Sequence, residues 1–225
     1  MKLMKLMICI FGSLSITVGT FAESQLSSWH FSDTGQYARL YENNANQTAN
    51  TWVTTWSGGA GVQSLPTYGG IHEVSYSDNW IYIRTTGRGQ HIMGLWYLDE
   101  ADSQDFPNFP ANTSTIYRIP RTPQSLSGSI DLTTAGAIGY FVDGVCMFDS
   151  TDTFSYSTSS ATDATPVNGI MGDGVWNRDA YVNESVTFDA AYAHQAGSQY
   201  HYHTNPIALR HLVGDHVDYD YDNNV

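Results

Sequence analysis

"HEVSYSDNWIYIRTTG", His72 to Gly87, decides the fold class. Apolar and polar residues alternate on either side of Ser77-Asp78-Asn79. Tyr, Trp, Ile, Val and Thr are the types that suit a pleated, half-buried surface. Successive side chains on a strand point to opposite faces, so each arm has one face for a core and one for solvent. The three polar residues between the arms predict a hairpin with a three-residue loop. A second hairpin is predicted in "AIGYFVDGVCMF" (Ala137 to Phe148), where Asp143-Gly144 supplies two residues that tolerate φ > 0, as a two-residue type I′ turn requires. "YARLYEN" (Tyr37 to Asn43), "TWVTTW" (Thr51 to Trp56) and "TIYRIP" (Thr115 to Pro120) read as further strands.

Helical periodicity is scarce. "DAAYAHQAG" predicts one short helix, with Asp189 as its N-cap and Gly197 just past its end. "NPIALRHLVG" predicts another, with Asn205 as N-cap, Pro206 in the first helical position and Gly214 closing it. The expected fold is mainly β, a sandwich or distorted barrel with two short helices near the C-terminus. "QDFPNFPANTST" (Gln104 to Thr115) reads as a surface loop and "DSTDTFSYSTSSATDATPVNG" (Asp149 to Gly169) as a long exposed one. "GDGVWNRDAYVNE" (Gly172 to Glu184) reads as a turn leading into a strand.

Lys2 and Lys5 precede an apolar run from Leu6 to Val18 and the small-residue site Thr20-Phe21-Ala22. That is the pattern of a secretory signal peptide over residues 1–22, and the apolar run is too short to span a bilayer comfortably. Residues 23–225 are then expected to form one β-rich domain, secreted or periplasmic, with no transmembrane segment. Both lysines belong to the leader, and the rest of the chain sets seven arginines against 22 acidic residues. Such a surface argues against nucleic acid and anionic membranes as partners, since both need cationic patches. Cys9 also lies in the leader, which leaves Cys146 without a partner for an internal disulfide. Its apolar, strand-like surroundings predict a buried, inert thiol.

Histidine and carboxylate gather toward the C-terminus. In "YHYH" (Tyr200 to His203) a strand would place His201 and His203 on one face and the tyrosines on the other. Two imidazoles at i and i+2 can share one divalent transition metal, and zinc, copper and iron all accept imidazole nitrogen. A turn at Gly197-Ser198 would return His194 to the same face, making three ligands. In "DHVDYDYD" (Asp215 to Asp222) the same alternation gives His216 and Asp218 a common face, as second-rank ligands. His211 sits at a helix end, where histidine favours the dipole. The same histidines can equally form a hydrogen-bonded pair in a polar core. Metal binding is expected to weaken below about pH 6, because free imidazole titrates near 6.5. No serine-hydrolase, zincin, phosphate-loop or dinucleotide fingerprint is present.

"YHYH", together with "YRIPRTP" (Tyr117 to Pro123), "GAIGYFVDGVCMFD" (Gly136 to Asp149), "GDGVWNRDAYVNESVTFDAAYAHQAG" (Gly172 to Gly197) and "PIALRHLVGDHVDY" (Pro206 to Tyr219), resembles the YHYH-domain proteins, mostly exported bacterial proteins. The resemblance runs from about Gly87 to the C-terminus. It implies export and no particular activity. It also implies a further histidine- and glycine-containing segment past "GDHVDY", so that this chain is a short member or a fragment. The residues themselves favour an exported metal-binding protein, with hydrolysis or oxidation as the chemistry if it is an enzyme. The competing expectation is a cell-surface binding or structural module without metal. In it, Trp52, Trp56, Trp80 and Trp96 contact a carbohydrate, another small molecule or a protein.

Overall fold

The computed structural model describes Trp29 and residues 36–125, 127–130, 132–164 and 172–217. The expected leader, Asp218 and most of the "DHVDYDYD" segment lie outside them. The fold is mainly β, as the alternation predicts. Its strands are spread over five small sheets, of two, two, four, two and three strands, and none of them closes into a barrel among the described residues. No helix of the described residues is long and apolar enough to cross a membrane.

Short pieces begin the chain. β1 (Arg39–Leu40) is followed by α1 (Asn44–Thr48) and by the paired strands β2 (Trp56–Gly58) and β3 (Gly61–Gln63). The opening hairpin is then β4 (Ile71–Tyr76) and β5 (Trp80–Thr85), with Tyr76 opposite Ile81 and the Ser77 amide donating to the Trp80 carbonyl at 2.8 Å, so that the turn is the two residues Asp78-Asn79 and not the expected three-residue loop. The alternation sends Ile71, Ile81 and Ile83 inward to complete burial. Arg84 pairs with Glu73 on the outer face. β6 (Ile92–Met93) pairs in parallel with β1, and β7 (Thr115–Pro120) adds to β5 to complete a three-stranded sheet.

The second hairpin joins β8 (Ala137–Tyr140) and β9 (Cys146–Phe148), but not through the predicted two-residue turn. Phe141 and Val145 still pair, the Phe141 amide donating to the Val145 carbonyl at 2.9 Å, which leaves a three-residue loop of Val142, Asp143 and Gly144. Only Gly144 takes a positive φ, +79°. This is the bulged three-residue form, in which one left-handed residue suffices. It wins because Asp143 is needed elsewhere: its buried carboxylate accepts from the Val145 amide at 3.1 Å and from the Tyr202 hydroxyl at 3.2 Å. Gly144 is also where the two larger sheets touch. A Cβ there would lie 2.4 Å from Thr85 Oγ1 and 2.7 Å from Ile71 Cγ1.

The segment expected to be an exposed loop after Phe148 carries a small hairpin, β10 (Tyr156–Ser157) with β11 (Thr162–Asp163). Asp149 ties down its start by accepting from the Thr151 amide and hydroxyl at 2.8 and 2.6 Å. Gln104–Thr115 is likewise no free loop. It straps across the core, with Phe106 donating to the Trp96 carbonyl, Phe109 to that of Gly58 and Ala111 to that of Ser198. Its apolar rings, Phe106 and Phe109, pack on the main hydrophobic cluster.

After α2 (Ala180–Glu184) and a 3₁₀ turn at Ser185–Thr187 come β12 (Ala193–Ala196), β13 (Gln199–Tyr202) and α3 (Ile207–Leu212). The four-stranded sheet runs β12-β13-β9-β8, with β13 parallel to β9. The helix predicted over Asp189–Gly197 is therefore a turn and a strand. Asp189 does cap backbone amides, taking those of Ala191 and Ala193 at 2.9 and 3.2 Å, but it closes a tight turn. The same acceptor chemistry serves either structure. Burial of Ala193, Tyr200 and Tyr202 behind the hairpin overrides the helix propensity of alanine. α3 forms as predicted but begins a residue late, because Pro206 keeps ψ at 110° and stands as the N-cap; no side chain caps it.

Asp189 also accepts from the Gly94 amide at 3.1 Å and the Tyr200 hydroxyl at 2.8 Å. Burial pushes its carboxyl up to about 7 against the pull of these four donors. Asp189→Ala strands four buried donors, so unfolding stability should drop by at least about 3 kcal/mol. Asp189→Asn keeps an acceptor and should lose less. The urea midpoints of the two variants and the wild type check this order.

Candidate metal centre

Gly197, with φ at +59°, turns β12 back on β13 so that His194 pairs directly with His201. Along β13 the pleat does what the alternation predicts. Tyr200 and Tyr202 face the core at zero exposure, while His201 and His203 share the other face. The tyrosines are pinned from behind. Tyr200 donates to Asp189, so the 2.8 Å contact between His91 Nε2 and the Tyr200 oxygen has the imidazole as donor.

His194, His201 and His203 each offer a ring nitrogen, and these atoms lie within 4.8 Å of one another. His201 Nε2 and His203 Nε2 are 3.0 Å apart. A fourth group joins them. Glu184 Oε2 lies 3.3 Å from His194 Nε2 and 3.5 Å from His203 Nε2. Glu184 comes from the last residue of α2, a helix capped by Asp179, whose side chain accepts from the Tyr181 amide at 2.9 Å.

Neighbouring groups set the tautomers. The Thr187 hydroxyl donates to the Glu184 carbonyl at 2.7 Å. Its oxygen is then the acceptor in the 2.7 Å contact with His194 Nδ1, which must carry the proton. His201 Nδ1 faces the Gln199 carbonyl at 2.9 Å and must be protonated too. Both rings therefore turn a bare Nε2 lone pair into the cluster. His203 Nδ1 is buried, and the Asp149 backbone is the group beside this ring that favours its protonated form.

The surroundings keep the rings neutral. Phe148 stacks on His201 at 3.8 Å between centroids, and Phe188 lies edge-on to His194 at 5.0 Å. Burial pushes His201 down to about 3 and His203 to about 4, and holds His194 well below its usual value. Glu184 moves the other way, up to about 7, also through burial. Protons therefore reach these imidazoles at lower pH than they would a free ring, and Glu184 is the group of the cluster that takes one up nearest neutrality.

A cavity of about 470 Å³ opens onto the cluster. Leu98, Phe106, Pro107 and Phe154 supply apolar wall; Asp152, Thr153 and the cluster itself supply the polar part.

Of the residues proposed from sequence, His194, His201 and His203 come together. His216 does not: it is exposed in the coil beyond α3, because the strand that would carry it inward is not formed at residues 215–217. Asp218 lies outside the described residues. His211 is exposed on α3, as expected. Cys146, opposite His201 on β9, is buried, its thiol is pushed up to about 11 by burial, and it is not among the groups that converge on the cluster. Glu184 was not among the ligands proposed from sequence; Asp179, five residues before it, marks the start of α2 but not the ligand at its end. Of the four tryptophans offered for carbohydrate or protein contact, Trp56 and Trp96 are buried and unable to make it.

Residues 116–220 match the family model described as YHYH protein, and the tetrapeptide at 200–203 lies within the match. No curated protein and no solved structure matches the chain.

Thr187→Val keeps the side-chain volume but removes the acceptor that orients His194. Loss of such an orienting partner costs about 10- to 100-fold in metal affinity. A chelator competition titration should show that drop, whereas affinity equal to wild type would exclude the orienting role.

Proposed function

We propose that this protein, which carries the YHYH domain at residues 116–220, is an exported metalloprotein that binds one transition-metal ion through Nε2 of His194, His201 and His203 and Oε2 of Glu184. One observation carries the reading. The donor atoms stand 3.0, 3.3 and 3.5 Å apart along three edges of the cluster. A tetrahedron with 2.0–2.1 Å bonds, the length for zinc and imidazole, has edges of about 3.3–3.4 Å. Bare nitrogens this close repel one another unless a proton or a cation lies between them. A neutral His203 carrying its proton on Nε2 would fill the edge to His201 alone, whereas one cation would fill all three edges at once.

The chain's own groups divide the work. Thr187 and Gln199 hold the Nδ1 protons away from the centre. Phe148 and Phe188 keep water off the ring faces. Glu184 brings the one negative charge to the donor set and lowers the net charge to be buried. Zinc, copper and iron all suit this donor set, and a bound ion would supply either Lewis-acid activation of water or oxygen chemistry. Four protein donors would fill a tetrahedron, so a reactive centre would need the ion to take a fifth ligand from the cavity beside it, or Glu184 to give up its place to one. Export rests on the leader pattern of residues 1–22.

Elemental analysis should find about one ion per chain. His201→Ala and His203→Ala should each abolish tight binding by calorimetry, and Glu184→Gln should weaken it. His211→Ala and His216→Ala should leave it unchanged. Affinity should fall as pH drops through about 7, where Glu184 takes up its proton, with about one proton released per ion bound near pH 6. Metal retained by the His201→Ala/His203→Ala double variant would defeat the proposal.

A further inference from the structure

Building on that metal centre, we infer that the cavity beside it receives a small uncharged molecule with a flat apolar body, such as a substituted aromatic ring, one neutral polar atom of which reaches the cluster. The cavity, at about 470 Å³, falls within the range of small-molecule sites. Its apolar wall is assembled from three separate segments. Leu98 follows β6, Phe106 belongs to the strap and Phe154 precedes β10. All three are half-buried, so each leaves apolar surface toward the opening. Phe106 lies 5.8 Å from the His194 ring, within reach of anything held over the cluster. Converging half-buried apolar groups around a few polar ones are what a ligand cavity requires.

Charge selects among apolar ligands. No lysine or arginine lines the cavity, and its two carboxylates are Asp152 and Glu184. Against a divalent ion those two charges leave roughly none to attract an anion. The whole chain carries a formal charge of −13, which repels anions on approach. A carboxylate or phosphate ester could pair only with an ion whose charge Glu184 and Asp152 already offset, and would give up its hydration among phenylalanines to do so. An uncharged ring gives up little and buries its faces.

The test uses the full chain loaded with cobalt(II), whose visible spectrum reports its ligand set. Loading comes first. Failure to take up one cobalt per chain defeats the metal centre itself, whatever the cavity does. With cobalt in place, benzamide, acetamide and benzoate are titrated against the spectrum. Benzamide should perturb it, with acetamide and benzoate each weaker by about tenfold or more, the scale of burying an aromatic ring or of desolvating a charge. Phe154→Ser and Leu98→Ser should weaken benzamide by a similar factor while cobalt stoichiometry stays at one. Benzoate as tight as benzamide, acetamide as tight as benzamide, no response to any of the three, or benzamide unaffected in both variants would each overturn the inference.

Discussion

A single buried carboxylate organises this structure. Asp189 takes the amides of Gly94, Ala191 and Ala193 and the hydroxyl of Tyr200, and so joins the loop after β6, the turn before β12 and the back of β13 in one knot. Without it three backbone amides and the Tyr200 hydroxyl would lose a buried acceptor, at about 1–3 kcal/mol for each donor that no other partner takes up. The pleat carries the effect forward. Fixing Tyr200 fixes the roll of β13, and because neighbours alternate, it also fixes the direction in which His201 and His203 point. Asp143 does the same for Tyr202 from the β8–β9 turn. The donor cluster is thus held by what lies behind the strand as much as by what touches the rings.

The front of the strand follows a different economy. Three imidazoles are buried together, and burial is tolerable because none of them is charged. Neutral rings still need their N–H groups satisfied, and for two of them Thr187 and Gln199 do so on the side away from the cluster. What remains is a concentration of lone pairs with one carboxylate at its edge. Desolvation disfavours the protonated rings and also disfavours the ionised Glu184. Both penalties would be relieved at once by a cation bonded to all four groups.

Much of this was legible in the sequence, wherever a signal was local and periodic. Alternation gave the β4–β5 hairpin and the common face of His201 and His203, while the turn of that hairpin is one residue shorter than its polar stretch suggests. Gly197 was enough to bring His194 back opposite His201. Misreadings arose where one residue serves two structures. Asp189 looks like a helix cap because it accepts nearby amides, and it does accept them, around a turn. Asp143-Gly144 looks like a two-residue hairpin because both types tolerate φ > 0, yet tertiary demand on the Asp143 carboxylate and the contact of Gly144 with Thr85 favour the longer loop. Glu184 was the harder case. Nothing in its neighbours marks it as a ligand, since its place depends on a short helix docking against a strand that has not yet been made. The strap from Gln104 to Thr115 was read as loose because prolines and asparagines suit loops; only the packing of Phe106 and Phe109 shows otherwise.

The two halves of the site differ in how far apart along the chain their parts lie. All four donor groups fall between Glu184 and His203, so the cluster closes through short loops. Its anchors do not. Asp189 reaches to Gly94, His91 to Tyr200, and Thr85 to the carbonyl of Gly144. Folding slows as contacts span more sequence. The donors can therefore meet early, as a local hairpin with a short helix beside it, while the rigid backing that fixes their directions must await the long-range sheet contacts. Order of assembly then runs from loosely gathered ligands to a braced centre, and an ion arriving during folding would encounter the ligands before the brace.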